Sequence, residues 1–436
     1  MMMRLAVAFA TAVVFALPAR ASVDIKEVTS PGGIEAWLVE EHSIPFIALE
    51  LRFKGGASLD APGKRGAINL MTALLEEGAG DMDAREFARA SESLAASFRY
   101  RVSDDTVSVS AKFLTENRDQ AIALLRASLL SPRFDDDAIE RVRAQILSGI
   151  RSDEKDPNAI AGRAFDRMVF ADHPYATSLD GTLDSVAALG RDDLVAAHAA
   201  TLARDRLYVS AVGDITAADL GVMLDSLLAD LPATGAPMPG KADPTFVGGI
   251  KVIDFDTPQS VVVFGQRGLP LEHPDFFAAY LVDIILGGGS FESRLMTEVR
   301  EKRGLTYGVY SYLVGKDHAD IWMGSVASAN DRVAEAISVI RDEWQRMYDH
   351  GVTEEELQDA KTYLTGAYPL RFDGNGPIAN IMANMQVSHM PLDYIANRND
   401  QVNAVTLEHA NRVARGLLDP ENLSFVVVGR PLGLSN

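Results

Sequence analysis

The residues best placed to do chemistry stand in one stretch, Leu286 to Tyr312, which reads LGGGSFESRLMTEVREKRGLTYGVYSY. Gly287, Gly288 and Gly289 feed a helical segment that carries Arg294 and Arg300, stops at Gly304 and passes into an alternating run ending in aromatics. An arginine near a helix end, with a tyrosine on the next strand, can set a guanidinium and a phenol side by side. Arg300 and Tyr307 have that relation across Gly304, and both groups donate hydrogen bonds. Such a segment offers a surface to a ligand. The plainer alternative makes Arg300 a surface residue paired with an acid and Tyr307 half-buried packing. Arg294 reads as structural, and the three glycines read equally well as a helix stop and turn.

Other chemistries are narrowed by what the chain lacks. Its eight histidines (His42, His173, His198, His273, His318, His350, His389 and His409) include no pair three or four apart, so neither HExxH nor HxxEH occurs. With no cysteine, thiolate metal sites, disulfides and cysteine nucleophiles are excluded. His173, just before Pro174 and Tyr175, reads as a loop-packing residue, and Asp135 to Asp137 as a solvated helix start.

The elements that must position these residues repeat. Ile44 to Phe53 reads as a strand ending at Gly55 and Gly56, and Arg65 to Glu76 as an apolar, buried helix. A helix from Asp83 to Leu94, strands around Ala96 to Arg101 and Thr106 to Phe113, and helices Asn117 to Leu130 and Asp135 to Arg151 follow, with Asp135 as an N-cap. Leu231 to Gly249 is rich in proline and glycine, lacks periodicity and reads as a linker. Beyond it the pattern restarts: a strand at Ser260 to Phe264, a helix from Pro274 to Leu286, the glycine segment, strands Leu305 to Tyr312 and Asp320 to Val326, and helices Asn330 to Asp349 and Thr353 to Leu364. Thr353 with Glu356 forms a capping-box pattern. DDTVSVSAKFLTENRDQAIALL from Asp104 and HADIWMGSVASANDRVAEAISVI from His318 match each other. The expectation is an α+β fold of two homologous domains, residues 22–231 and 250–436 joined by 232–249. Each is about 200 residues long, a mainly antiparallel sheet covered by helices.

Composition and ends set the class. All 436 residues are too many for one core, since cores stop growing at about 250–300 residues. Residues 1–21 have a basic start at Arg4, an apolar run from Leu5 to Leu17, and small residues at Ala19 and Ala21, the pattern of a secretory signal peptide cleaved after Ala21. That run is too short to span a bilayer, and no later one does better. The protein is thus expected to be exported, and periplasmic in a Gram-negative source. The formal charge of −20, two units lower once Arg4 and Arg20 leave, argues against nucleic acid or anionic lipid as partner. By steering, it favours basic peptides.

The run from His173 to Asp214, HPYATSLDGTLDSVAALGRDDLVAAHAATLARDRLYVSAVGD, resembles the inverted-motif zinc peptidases: pitrilysin, insulin-degrading enzyme, the mitochondrial processing peptidase and their bacterial two-domain relatives. They share the HPY, a following Gly-Thr and a closing VVGD-like strand, and the segment GGGSFESRLMTEVREKRGLTYGVYSY is close to their C-terminal domain. The likeness covers nearly the whole chain after the signal.

The resemblance implies a set of site positions. Active members carry HxxEH on the helix after the first strand, two histidines for zinc and a glutamate as general base, with a later glutamate as third ligand. Here Asn69 and Ala73 stand at the histidine positions, Thr72 at the base and Gly149, in the frame AQILSGIRSDEKDP, at the later glutamate. Alanine and glycine have no side chain to donate, and an asparagine carbonyl is a poor zinc ligand. Active members also use an arginine and a tyrosine of the C-terminal domain to hold the substrate backbone and stabilise the oxyanion, and Arg300 and Tyr307 match them. Gly287, Gly288 and Gly289 correspond to the glycine-rich loop that helps receive substrate in the noncatalytic subunit of the processing peptidase, although this one is shorter.

The resemblance therefore implies a noncatalytic, substrate-binding subunit, with no metal or catalytic residue of its own. A homologous HxxEH-bearing partner would supply the zinc, and this chain would supply Arg300 and Tyr307 in trans to act on a peptide or unfolded protein. The alternative is a peptide-binding or scaffold protein without hydrolytic role, as in the core subunits of mitochondrial respiratory complexes. A third reading, an active site rebuilt from Glu76, Glu77 or Asp81, puts carboxylates where a hydrolytic zinc would want other ligands.

Overall fold

The structure, a computed structural model, describes residues 23–289 and 292–435. The signal peptide expected over residues 1–21 lies outside the described residues. The strands of the first half are β1 (Lys26–Thr29), β2 (Glu35–Glu40), β3 (Phe46–Lys54), the short hairpin β4 (Gly78–Ala79) and β5 (Met82–Asp83), β6 (Ser97–Val102), β7 (Thr106–Leu114) and β8 (Leu207–Gly213). Those of the second are β9 (Ile250–Asp254), β10 (Gln259–Arg267), β11 (Thr306–Gly315), β12 (Asp320–Ala329) and β13 (Ser424–Gly429). Residues 232–249 carry neither helix nor strand.

The sheets run β1-β2-β8-β3-β7-β6 and, read in the matching sense, β9-β13-β10-β12-β11. All pairs are antiparallel except β2 with β8 and β9 with β13, which occupy equivalent places. Apart from the extra edge strand β1 of the first sheet, the order and the single parallel pair are the same in each half, the signature of a duplicated α+β unit.

The helices are α1 (Ala67–Ala73), α2 (Ala84–Ser93), α3 (Arg118–Leu130), α4 (Asp136–Asp153), α5 (Pro157–Phe170), α6 (Leu183–Ala187), α7 (Arg191–Thr201) and α8 (Ala217–Leu228), then α9 (Phe276–Leu286), α10 (Val333–His350), α11 (Glu354–Ala367), α12 (Asn375–Val387), α13 (Tyr394–Ala404) and α14 (Leu407–Leu417). Most cover one face of their own sheet, but two cross over. From the first half, α5 puts Ala161, Phe165 and Val169 against Val261, Val426 and Val428 of the second sheet. In return, α12 from the second half puts Ala379 and Met382 against Ala48 and Val212 of the first. This exchange explains why β3 is buried almost end to end. A strand covered on both faces loses the apolar–polar alternation of a half-exposed one.

The helix expected from Arg65 to Glu76 is shorter, Ala67–Ala73. Gly66 holds φ 95°, and a Cβ there would come within 2.7 Å of the Asp180 carbonyl oxygen, so the chain enters the helix sharply. Asp60 accepts from the backbone N–H of Gly66 at 2.8 Å and of Ile68 at 2.9 Å, capping the start from outside the local sequence. At the other end the Leu74 N–H turns back onto Leu70, and the chain tightens toward Gly78 at φ 113°.

Candidate functional site

On α1, the Asn69 amide donates to Asp180 Oδ1 at 2.9 Å. Thr72 is buried, and its hydroxyl has no hydrogen-bond partner among the described residues. Ala73 packs against the core of the first half. Gly149 lies on α4, where a Cβ would meet nothing within 4 Å, so there is room for a side chain that the residue does not have. A zinc ion takes nitrogen, sulfur or carboxylate donors from about three or four residues. Of these four positions one offers an amide already engaged, one a hydroxyl and two nothing. The residues present do not fit zinc. The carboxylates nearby are no substitute: Glu77 is held by both Nη atoms of Arg141 at 2.8 Å. Burial, and then the Glu77 charge, push the Glu76 carboxyl up. Among the described residues no cluster of three histidine, aspartate or glutamate side chains could hold a metal ion.

Arg300 and Tyr307 do come together. The segment after the glycines is a π-helix over Met296–Glu301, with Lys302 N–H donating to Thr297 O at 3.0 Å, five residues back. Such wide turns are rare and gather at functional sites. The helical segment expected up to Gly304 therefore ends sooner and in a wider form, and Gly304 turns the chain at φ 59°. Arg332 secures that turn, donating to Arg303 O at 2.8 Å and Gly304 O at 3.1 Å. The Arg300 guanidinium carbon then sits 5.6 Å from the centre of the Tyr307 ring, within cation–π range. Tyr307 is 89% exposed, so the packing alternative does not describe it. It borders a cleft of about 420 Å³ with Gly304, Gly308, Tyr310 and Arg332, on the edge strand β11.

The glycines divide by role. A Cβ on Gly287 would meet Ser311 Oγ at 2.6 Å and Leu295 Cδ1 at 2.9 Å, and one on Gly288 would meet Ile284 Cα at 2.6 Å. Packing of the end of α9 against β11 accounts for Gly287 and the tight turn of the chain back onto α9 for Gly288, while Gly289 faces open space at φ 88°. Replacing Gly287 by alanine is expected to cost about 1–3 kcal/mol by overpacking, read as a lower urea midpoint with an unchanged slope. Arg294 is structural, as expected: it grips Glu356 through two bonds of 2.6 and 2.7 Å and donates to Gly351 O at 2.9 Å. Glu356 also closes the capping box with Thr353 that opens α11.

His173 belongs to a seam between the halves. Its Nε2 lies 3.1 Å from Gly240 O, and its ring packs edge-on to Tyr175. The Tyr175 hydroxyl donates to Asp105 and accepts from the His318 N–H at 3.1 Å. Lys316 pairs with Asp104 at 2.7 Å, so the β11–β12 hairpin is latched onto the first half. The HPY run thus serves packing.

Two features of the site region were not singled out from the sequence. Glu50 and Arg52, charges inside the apolar run of β3, form a buried ion pair at 2.7 Å, with Arg52 also donating to Asn380 Oδ1 of α12 at 2.6 Å. Asp283, a lone acid within YLVDIIL, accepts from Ser311 Oγ at 2.6 Å and Trp322 Nε1 at 2.8 Å, directly under the glycines. In each case the signal was a charge in an otherwise apolar element.

Comparisons with known proteins bear on family and fold. The family described as insulinase, peptidase family M16, matches residues 37–183, and that described as peptidase M16 inactive domain matches residues 188–364. The chain is 28% identical over 389 residues to the non-peptidase homolog YmxG of Helicobacter pylori, covering 89% of this chain and 90% of that protein. It is 23% identical over 405 residues to an uncharacterized zinc protease, YmxG of Bacillus subtilis, covering 90% and 95%. A solved structure described as a peptidase M16 inactive domain from Pseudomonas fluorescens superposes with a TM-score of 0.88 at 28% identity, covering 95% of this chain and 99% of that one.

Proposed function

The chain belongs to the M16 peptidase family as a noncatalytic, peptidase-like member, and from that premise we propose that it is the substrate-binding subunit of a periplasmic heterodimeric zinc peptidase. The observation that carries the proposal is a pairing. The metal-ligand positions hold Asn69, Ala73 and Gly149, while the Arg300–Tyr307 pair is assembled on an exposed edge where a second chain can reach it. A chain selected only as a scaffold has no need for a guanidinium beside an exposed phenol, borne on a π-helix and a fixed turn. In this reading a homologous partner with an intact HxxEH supplies the metal and general base. This chain contributes donors, Arg300 and Tyr307, to the peptide carbonyl under attack, and helps enclose an unfolded peptide.

The test measures zinc content and peptide hydrolysis of the purified chain, alone and mixed with the HxxEH-bearing homologue of the same organism. Hydrolysis well above that of either chain, only in the mixture and with zinc only in the partner, is the expected result. Stoichiometric zinc and hydrolysis in this chain alone would overturn the proposal. A mixture no more active than the partner by itself would favour the scaffold alternative.

A further inference from the structure

A second groove lies away from Tyr307. It holds about 560 Å³ on the open face of the first sheet, walled by β3, β6 and β7 of the first half and by α12 of the second. Its charge runs against that of the chain. Acids outnumber bases by 61 to 41 overall, yet Glu50 is the one carboxylate lining the groove among the described residues. Glu50 is already neutralised, paired with Arg52 and accepting from Ser110 Oγ at 2.7 Å. Left over are Arg99, Arg101 and Lys112, all exposed, with no carboxylate in ion-pair reach among the described residues.

Lys112 sharpens the imbalance. It leans over the Phe46 ring at 5.4 Å, and its Nζ lies 4.0 Å from where a Cβ of Gly376 would stand, in the first turn of α12. The first turn of a helix carries partial positive charge. A cation held there is repelled until an anion joins it. The remaining wall is made of hydroxyls and amides, Ser97, Ser108, Asn380 and Asn384 among them, suited to a peptide backbone.

We propose that this groove binds an extended acidic peptide segment, with carboxylates at alternate positions opposite Arg99 and Arg101. On a strand, residues two apart share a face and repeat every ~6.6–6.8 Å. Arg99 and Arg101 of β6 have that spacing, and so do the acids of an extended Glu-x-Glu segment. The inference rests on the reading that this chain receives peptide and adds which peptides those are. Local charge then outweighs the long-range field, which is screened within about 8–10 Å at physiological salt.

Binding is measured with the chain alone, by fluorescence anisotropy, so that neither partner nor hydrolysis enters. Failure here would leave the subunit proposal to its own mixing experiment. The probes are labelled seven-residue peptides: Thr-Glu-Thr-Glu-Thr-Glu-Thr, its Gln counterpart, and an isomer with the three glutamates contiguous. The alternating acidic peptide is expected to bind about tenfold tighter than the Gln peptide, the combined effect of two exposed ion pairs. It should also bind several-fold tighter than its contiguous isomer. Arg99→Gln with Arg101→Gln should remove that preference without moving the thermal midpoint, and Arg99→Glu with Arg101→Glu should reverse it. Equal binding of acidic and Gln peptides, equal binding of the two acidic isomers, or a preference that survives in the double Gln variant would each overturn the inference.

Discussion

With Arg300 replaced by alanine, the reconstituted pair is expected to lose roughly 10²–10³-fold in kcat, the usual effect of deleting one donor to an oxyanion. The expectation follows from where the residue sits. Its guanidinium is 5.6 Å from the ring centre of a tyrosine that the fold leaves almost wholly in solvent, so a ligand lying along that ring comes within reach of the pair. A donor that acts only as charge develops lowers kcat and kcat/KM together, whereas one that merely holds substrate raises KM. Tyr307→Phe removes the hydroxyl and keeps the ring, so a smaller loss is expected. Arg300→Lys keeps the charge and loses the planar fork, and should fall between. The thermal midpoint of the Tyr307→Phe variant should stay within about a degree or two of the parent. Unchanged turnover for Arg300→Ala would mean that the pair plays no part in the chemistry, even if mixing still produces hydrolysis.

What the sequence disclosed and what it hid follow one physical line. Local pattern was legible: the strand around Phe46, the Thr353 capping box, and the two β7 and β12 runs each leading into a helix all stand as their residues indicate, while Asp135 takes the N-cap position of α4 with its carboxylate turned to Arg133 instead of the helix amides. The duplication was legible for the same reason, since it is a repeat of local patterns, and the equivalent strand orders give it spatial form. Partners distant in sequence were not. Nothing in PNAIAGRAFDRMVF says that α5 will cover the other half's sheet, or that α12 will return the exchange and wall a basic groove. The basic residues of SFRYRV were visible at a spacing of two, but not that α12 would bring Asn380 beside them. Helix α1 came out shorter than its apolar pattern because Gly66 and Asp60 set its start, and Asp60 lies outside the periodic run. The π-helix was hidden because its side-chain pattern reads as an ordinary helix.

Asp283→Asn is expected to make the chain more stable than the parent, increasingly so as pH rises. The carboxyl is 2% exposed, and burial pushes it up to about 7 even though Ser311 and Trp322 donate to it. Both donors reach the same atom, Oδ1, which an asparagine carbonyl can reproduce. The fold prefers the neutral acid, while the unfolded chain titrates near the ordinary aspartate value of about 3.9. Below about pH 4 both states are protonated and the group costs nothing. Between pH 4 and 7 the unfolded chain releases the proton first, so parent stability falls, and above pH 7 the whole cost is present, on the order of 4 kcal/mol. Asparagine has no such slope, so the advantage of the substituted chain should grow by about 2–3 kcal/mol between pH 5 and pH 8 in urea titrations. Asp283→Ala strands two buried donors and should destabilise by about 2–4 kcal/mol at low pH; alanine has no slope either, so that deficit should shrink by the same about 2–3 kcal/mol between pH 5 and pH 8. An asparagine advantage that does not change with pH would mean the carboxyl is ionised in the fold throughout. Gly287 packs on Ser311, and the Gly287 and Gly288 amides both donate to the Asp283 carbonyl at 2.8 Å.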